Sequence, residues 1–340
     1  MTLVCTYEDR DSAMPGLELL ARSLLDHAPD LKLLCFSPCV GASALATQIP
    51  NLTIESPDDI AGRGWSAKPD VLLRALELAP DVLWLDTDVI VIGDLDGLLA
   101  SAPPGALLVG EEFHDLQPDG CANRARAWGL SVRRNLDRMV NSGSVRVTRV
   151  HRPLLERWRT LLADDRFTEA QRLPVAQRPS HLVGDQDVLA ALLVSEFADV
   201  PLHYLRNGTD MLQHCGANGY HVVDRLKVLR GARPAFVHML GRYKPWSFDK
   251  VPDFRRARAD YFNLVCFELS PFHQAAARYA THLGRPGWLE RRTRLARLLH
   301  RLGGGNVALR GMPLALLAWG AERIRGGPPP LSAAGKNQLP

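Results

Sequence analysis

The chain has 340 residues, 46 % of them hydrophobic and 23 % charged, with a formal net charge of +4. Such a chain buries a large core, as one large domain or two smaller ones, and is not a disordered polypeptide. The charge makes no case for nucleic acid as a partner, and no apolar run approaches the roughly 20 residues that span a bilayer.

The start, Met1-Thr2-Leu3-Val4-Cys5, lacks a basic lead and runs straight into a strand over Leu3–Thr6. It shows no secretory signal. Pro15 to Asp26 carries helical spacing at Leu17, Leu20 and Leu24. Short strands are predicted over Leu31–Phe36 and Leu52–Ile54, a helix over Ala67–Leu78, and a buried strand over Val82–Leu85. A short helix over Asp94–Leu99 and a strand over Ala106–Val109 follow. The polar, Arg-rich stretch from Glu111 to Val140 resists assignment. Val145–Thr148 reads as a strand, Pro153–Leu162 as a helix, Gln171–Ser180 as a loop and Asp185–Val194 as a helix. Beyond Phe254 the pattern is mainly helical, and the Gly- and Pro-rich tail over 326–340 reads as disordered. Strands alternating with helices predict an α/β fold with a mostly parallel, Rossmann-like sheet, in which ligands bind beyond the carboxyl ends of the strands. The six cysteines complete no zinc pattern. Cys5 and Cys35 lie in apolar strands, so a reducing, cytoplasmic setting is expected.

Two segments carry chemistry. The run Val82-Leu83-Trp84-Leu85 delivers Asp86-Thr87-Asp88 to a strand end. If strand geometry persists, residues i and i+2 share a face and the two carboxylates converge. Two buried carboxylates need a cation or protons, and hard oxygen ligands suit Mg²⁺ or Mn²⁺. The second segment, Phe236-Val237-His238-Met239-Leu240-Gly241-Arg242-Tyr243-Lys244-Pro245-Trp246, offers an imidazole, a glycine for close backbone approach and a lysine for phosphate. Its pattern His-x-x-Gly-x-x-Lys-Pro-Trp fixes several positions at once. Trp246 is either core or part of the site.

Together these segments resemble the family 8 glycosyltransferases, retaining enzymes of the GT-A fold that use nucleotide sugars. Val4-Cys5-Thr6-Tyr7-Glu8-Asp9 looks like the family's first strand and nucleotide-binding loop. Asn141-Ser142-Gly143-Ser144-Val145 looks like its Asn-x-Gly-Val segment, with Ser144 where valine is usual. Gly184-Asp185-Gln186-Asp187 looks like its Asp-Gln-Asp segment. The resemblance covers roughly residues 1–250. It implies Asp86, Asp88 and His238 as ligands of Mn²⁺ or Mg²⁺, and Lys244 and the Gly241 backbone as diphosphate contacts. Lys68 becomes a further phosphate-facing cation. It also implies Thr6, Tyr7, Glu8, Thr87, Asn141 and Ser142 along the donor, and Asp185 and Gln186 beside the transferred sugar. Asp185 can equally serve as a helix cap. The partners implied are a UDP-sugar donor and a glycan or lipid-linked acceptor. The first loop departs from the family: its Asp-x-Asn-Tyr order is absent, so the base is open. Tyr7 remains a candidate to stack on it, with Glu8 or Asp9 to accept from it.

The organisation expected is a GT-A catalytic domain over 1–255, a basic helical region over 256–325 and the tail. In the basic region Arg291, Arg292, Arg294, Arg297 and Arg301 alternate with leucines. Met312–Trp319 follows as an apolar stretch. This pattern suits an anionic membrane surface, or else a helix packed on the catalytic domain. Two rival readings remain: a phosphatase of the haloacid dehalogenase type using Asp86 and Asp88, and a non-catalytic binder of nucleotide or glycan.

Overall fold

The computed structural model describes residues 2–56, 58–112, 119–214, 220–241, 244–247 and 251–325. Arg242 and Tyr243 of the second segment, and the tail from 326, lie outside them. Ten strands are described: β1 Leu3–Tyr7, β2 Lys32–Phe36, β3 Leu52–Glu55, β4 Asp81–Leu85, β5 Val89–Val91, β6 Leu107–Glu111, β7 Val140–Thr148, β8 Leu202–Leu205, β9 Met211–His214 and β10 Phe236–Met239. Seven form a central sheet in the order β3-β2-β1-β4-β7-β6-β8. Helices pack around it, giving the mixed α/β architecture expected. The sheet is parallel except at β7, which runs against both β4 and β6. The other three strands form a small second sheet, ordered β5-β10-β9.

The central strands are nearly all buried, as continuous apolar runs such as Val82-Leu83-Trp84-Leu85 require. Helices Met14–His27 and Lys68–Leu78 cover opposite faces of the sheet. Leu17, Leu20 and Leu24 enter one core cluster; Val71, Leu72 and Leu76 enter the other. The Asp185–Val194 helix is buried along its length, which is why it lacks an amphipathic pattern.

Sequence periodicity placed most of these elements within a few residues. Three differences bear on function. The stretch after Glu111 contains a helix, Gly120–Ala127. β7 begins at Val140, so Asn141 and Ser142 are strand residues. The strand does not persist through the aspartate pair: β4 ends at Leu85, and a turn over Asp86–Asp88 carries the chain from the large sheet to β5 of the small one.

The C-terminal helices pack on the small sheet. Leu264, Phe267 and Phe272 share a buried cluster with Ile90, Val237 and Met239. Trp246 joins that cluster, with ring centroids 6.4 Å from Phe272 and 5.9 Å from Trp288. It is therefore core, and it fixes the segment bearing Lys244. Among the described residues no helix is long and apolar enough to cross a membrane.

Candidate functional site

The site lies where β4 and β7 meet the small sheet. The Asp86 N–H donates to the Gly143 carbonyl (2.9 Å), and Val89 N–H closes the turn on the Asp86 carbonyl (3.1 Å). β10 runs antiparallel to β5 with His238 opposite Val89, and Met239 N–H donates to the Asp88 carbonyl (3.0 Å). A turn and a strand pairing thus bring together residues about 150 positions apart in sequence. One ligand atom each from Asp86, Asp88 and His238 lies within 4.8 Å of the others.

This donor set fits a divalent cation. His238 Nε2 is 3.2 Å from Asp88 Oδ1 and 3.7 Å from Asp86 Oδ2. Asp88 Oδ1 is buried and makes no hydrogen bond among the described residues. A buried carboxylate oxygen with only an imidazole nitrogen beside it is costly, and a divalent cation there removes the cost. Asp86 Oδ1 and Asp88 Oδ2 are engaged. Trp84 Nε1 donates to Asp86 Oδ1 (2.6 Å), and Lys244 pairs with Asp88 Oδ2. Burial opposes the charge on Asp88, but Lys244 and His238 hold its carboxyl well below the usual carboxylate range.

Gly143 makes the cluster possible. A Cβ there would sit 2.0 Å from His238 Cε1 and 2.9 Å from Asn141 Oδ1, inside any real contact distance. The register of β6 against β7 slips at this point. Val109 faces Val145 but Gly110 faces Asn141, so Ser142–Ser144 bulge out of the ladder toward the site.

A second group of buried polar side chains adjoins the first. Lys68, 2 % exposed at the start of its helix, donates to the Ser142 carbonyl (2.8 Å) and hydroxyl (3.0 Å). It also pairs with Asp185 Oδ2 (3.1 Å) and Asp86 Oδ1 (3.3 Å). Burial works against its charge, yet Asp185 and Asp86 more than offset that and raise its proton affinity. The Ser142 hydroxyl donates to Asp185 Oδ2 (2.7 Å). Asp185 opens its helix, and Trp158 Nε1 fixes it by donating to its carbonyl (2.9 Å). Arg124 Nε donates to Asp187 Oδ1 (2.7 Å), and the Gly184 N–H donates to Asp187 Oδ2 (2.9 Å), which anchors the same helix start. Burial pushes the Asp187 carboxyl up to about 6 despite Arg124.

Sequence reasoning missed Glu112. Its Oε2 accepts from Asn141 Nδ2 (2.9 Å) and from Gln186 Nε2 (3.3 Å), joining the two residues expected along the sugar. It lies in the stretch that resisted assignment, and no local pattern marks it.

The first loop is built differently from the expectation. Tyr7 is buried, and its hydroxyl donates to the Ile60 carbonyl (2.7 Å), which removes it as a stacking surface. Glu8 is buried too and receives the Thr87 hydroxyl (2.7 Å) and the Arg10 guanidinium. Its two oxygens are spent inside the protein. Thr6 is fully buried behind them. Gly241 is exposed with φ +79°, a left-handed conformation that glycine adopts without strain. Lys244 reaches back to Asp88 and the Met239 carbonyl. The structure therefore gathers Lys68, Asp86, Asp88, Asn141, Ser142, Asp185, Gln186, His238 and Lys244 around one region, while Thr6 and Tyr7 support it from within.

No family model matches the sequence, and no curated protein matches it. Among solved structures, the bifunctional glycosyltransferase WbbM matches 84 % of this chain at 16 % identity, with a TM-score of 0.49; the chain spans about half (51 %) of that protein. The galactosyltransferase LgtC, solved with donor and acceptor sugar analogues, matches over 82 % of this chain and 96 % of its own, at 18 % identity and a TM-score of 0.45. The glycosyltransferase GlyE of Streptococcus pneumoniae TIGR4 matches over 83 % of this chain and 64 % of its own, at 15 % identity and 0.45. A likeness of this degree concerns shape, and the chemistry is argued from the side chains.

Proposed function

We propose that the chain is a metal-dependent, retaining glycosyltransferase of the GT-A type, similar to family 8, that moves a hexose from a UDP-sugar to a glycan or glycolipid acceptor. The observation that carries the reading is the meeting of Asp86, Asp88 and His238 at one point, beside the buried chain Lys68–Asp185–Ser142. Asp86, Asp88 and His238 would hold Mn²⁺ or Mg²⁺, which when bound offsets the charge of a donor diphosphate and of the departing nucleotide.

The chain's own residues divide the remaining work. Lys244 stands at the Asp88 carboxylate, which supports a role for its ammonium in meeting the leaving diphosphate. Lys68 holds Asp86, Ser142 and Asp185 in one arrangement. Asn141, Ser142, Asp185 and Gln186 line the sugar end. Gln186 donates from its Nε2 to Glu112, and in this reading its Oε1 serves the sugar. An amide oxygen is a weak nucleophile, so front-side delivery of the acceptor through a short-lived ion pair suits this residue better than a covalent intermediate.

We further propose a cytoplasmic enzyme that docks on the anionic inner face of a membrane and serves cell-surface polysaccharide assembly. The Arg294–Gly303 helix buries Ala296 and Leu299 but exposes Leu298 and Leu302 beside Arg294, Arg297 and Arg301. Leu316, Leu317 and Trp319 are exposed on the last helix. This helical region packs on the small sheet through Leu264, Phe267 and Phe272 and presents an apolar, basic outer side at once.

A haloacid dehalogenase reading is not favoured. It gives His238 no part, and both Trp84 and Lys68 already engage the Asp86 oxygen Oδ1. Incubation with a panel of UDP-sugars and Mn²⁺ decides. Slow release of UDP without acceptor, and a product anomer matching the donor by proton NMR, support the proposal. Release of inorganic phosphate from phosphate esters supports the phosphatase, and an inverted product removes the retaining mechanism.

A further inference from the structure

Arg10 directly follows the first-loop residue Asp9, and its side chain is mostly exposed, at 63 %. It is nevertheless held in place. Its Nε donates to Glu8 Oε1 (2.7 Å), its second terminal nitrogen to Glu8 Oε2 (2.9 Å), and its backbone N–H to Glu8 Oε1 (3.1 Å). Glu8 Oε2 also accepts from Thr87, the residue between the two metal-site aspartates. Glu8 is thus a buried bracket that fixes a planar cation to the Asp86–Asp88 turn. Nη1 and the outer face of the guanidinium remain without a partner among the described residues.

The order of the sheet says what that cation faces. Reading across the strands, the sugar-side residues Asn141 and Ser142 stand on β7, the metal cluster stands at the end of β4, and Arg10 follows β1. Adjacent strands are about 4.8 Å apart, so β7 and β1 are separated by about 10 Å. A donor laid with its sugar over β7 and its diphosphate over β4 carries its nucleoside to β1 or beyond. The aromatic side chain of the loop itself is not available, because Tyr7 is buried with its hydroxyl on Ile60. Trp65, 42 % exposed, carries the Arg178 guanidinium 5.8 Å from its ring centroid.

We propose that Arg10 is the nucleoside-recognition residue, stacking its guanidinium plane on the base of the donor and presenting Nη1 to a base or ribose oxygen. The inference rests on the donor reading above. It assigns the base contact to an arginine fixed by Glu8 where an aromatic ring would otherwise serve. Guanidinium planes stack on aromatic faces, and a lysine ammonium has no plane with which to replace them.

The test is calorimetry in Mn²⁺ with UDP, UMP and inorganic diphosphate, on the wild type, Arg10→Ala and Arg10→Lys. Arg10→Lys keeps a cation beside buried Glu8, so it preserves folding even where Arg10→Ala does not. The expected result is a loss of about tenfold in affinity for both UDP and UMP in each variant, with diphosphate binding unchanged. Lysine restoring UDP binding, together with a matching loss for inorganic diphosphate in Arg10→Ala, would mark Arg10 as a phosphate contact and overturn the proposal. Unchanged UDP affinity in both variants overturns it as well. Failure of the wild type to bind UDP in Mn²⁺ instead removes the donor reading itself.

Discussion

Gly143→Ala puts the geometry of the cluster to a direct test. The added Cβ would lie 2.0 Å from His238 Cε1, whereas ordinary contact begins at 3.4 Å, so the imidazole or the bulge must move by about 1.4 Å (3.4 − 2.0). His238 is buried and sits in the β5–β10 ladder, so the ring has little room to withdraw. Metal–ligand distances tolerate only about 0.2 Å of error, so a shift of this size detaches the imidazole. The expected loss in Mn²⁺ affinity is about 10- to 100-fold, read by electron paramagnetic resonance titration of free Mn²⁺. Overpacking should also cost about 1–3 kcal/mol of stability, read by denaturant unfolding. His238→Ala removes the clash, so the double variant should recover most of that stability and show non-additivity in the cycle. A folded Gly143→Ala protein that binds Mn²⁺ like the wild type would refute the placement of His238.

Lys68→Met leaves Asp86 and Asp185 without their shared cation. It should destabilise the fold by about 3–5 kcal/mol, as breaking a buried pair does, and differential scanning calorimetry reads the loss. Asp187 carries a folded-state affinity for protons near pH 6, above its ordinary value of 3.8, so this residue alone lowers stability as pH rises from about 4 to 6. Asp187→Asn removes that dependence. The stability of the variant relative to the wild type should therefore rise across the window, by on the order of 3 kcal/mol, and melting curves at successive pH values check it. Replacing Arg294, Arg297 and Arg301 with Glu should release the protein from anionic vesicles at low salt, as flotation would show. UDP release should be left intact, because these side chains are exposed and take no part in the site contacts described above.

Much of the site was legible because it depends on local signals. An apolar strand leading into Asp-x-Asp, a helix opening on Asp185 and a buried strand bearing His238 are all present in the structure. What failed was the expected route to convergence. The sequence makes convergence of Asp86 and Asp88 conditional on strand geometry persisting, but a turn between two sheets does the work, and only the pairing of β5 with β10 completes the cluster. Such pairings depend on residues far apart in sequence and leave no periodicity. The strand read over Val145–Thr148 leaves out Asn-Ser-Gly-Ser, whose residues favour turns, yet neighbours on both sides force that segment into a bulged strand. Glu112 and Arg10 escaped notice for a related reason. Each is an ordinary charged residue whose role comes from the partners that hold it: Asn141 and Gln186 for the one, Glu8 and Thr87 for the other.

The central claim is that Asp86, Asp88 and His238 hold a divalent ion that in turn holds the diphosphate of a nucleotide. Calorimetry of UDP binding, with Mn²⁺ and with a chelator, in the wild type and Asp88→Asn, tests it most directly. The account predicts tight binding only for the wild type with Mn²⁺, and a loss of at least tenfold on chelation or in the variant. Equal affinity for UDP in all four conditions, or no binding in any of them, would contradict it.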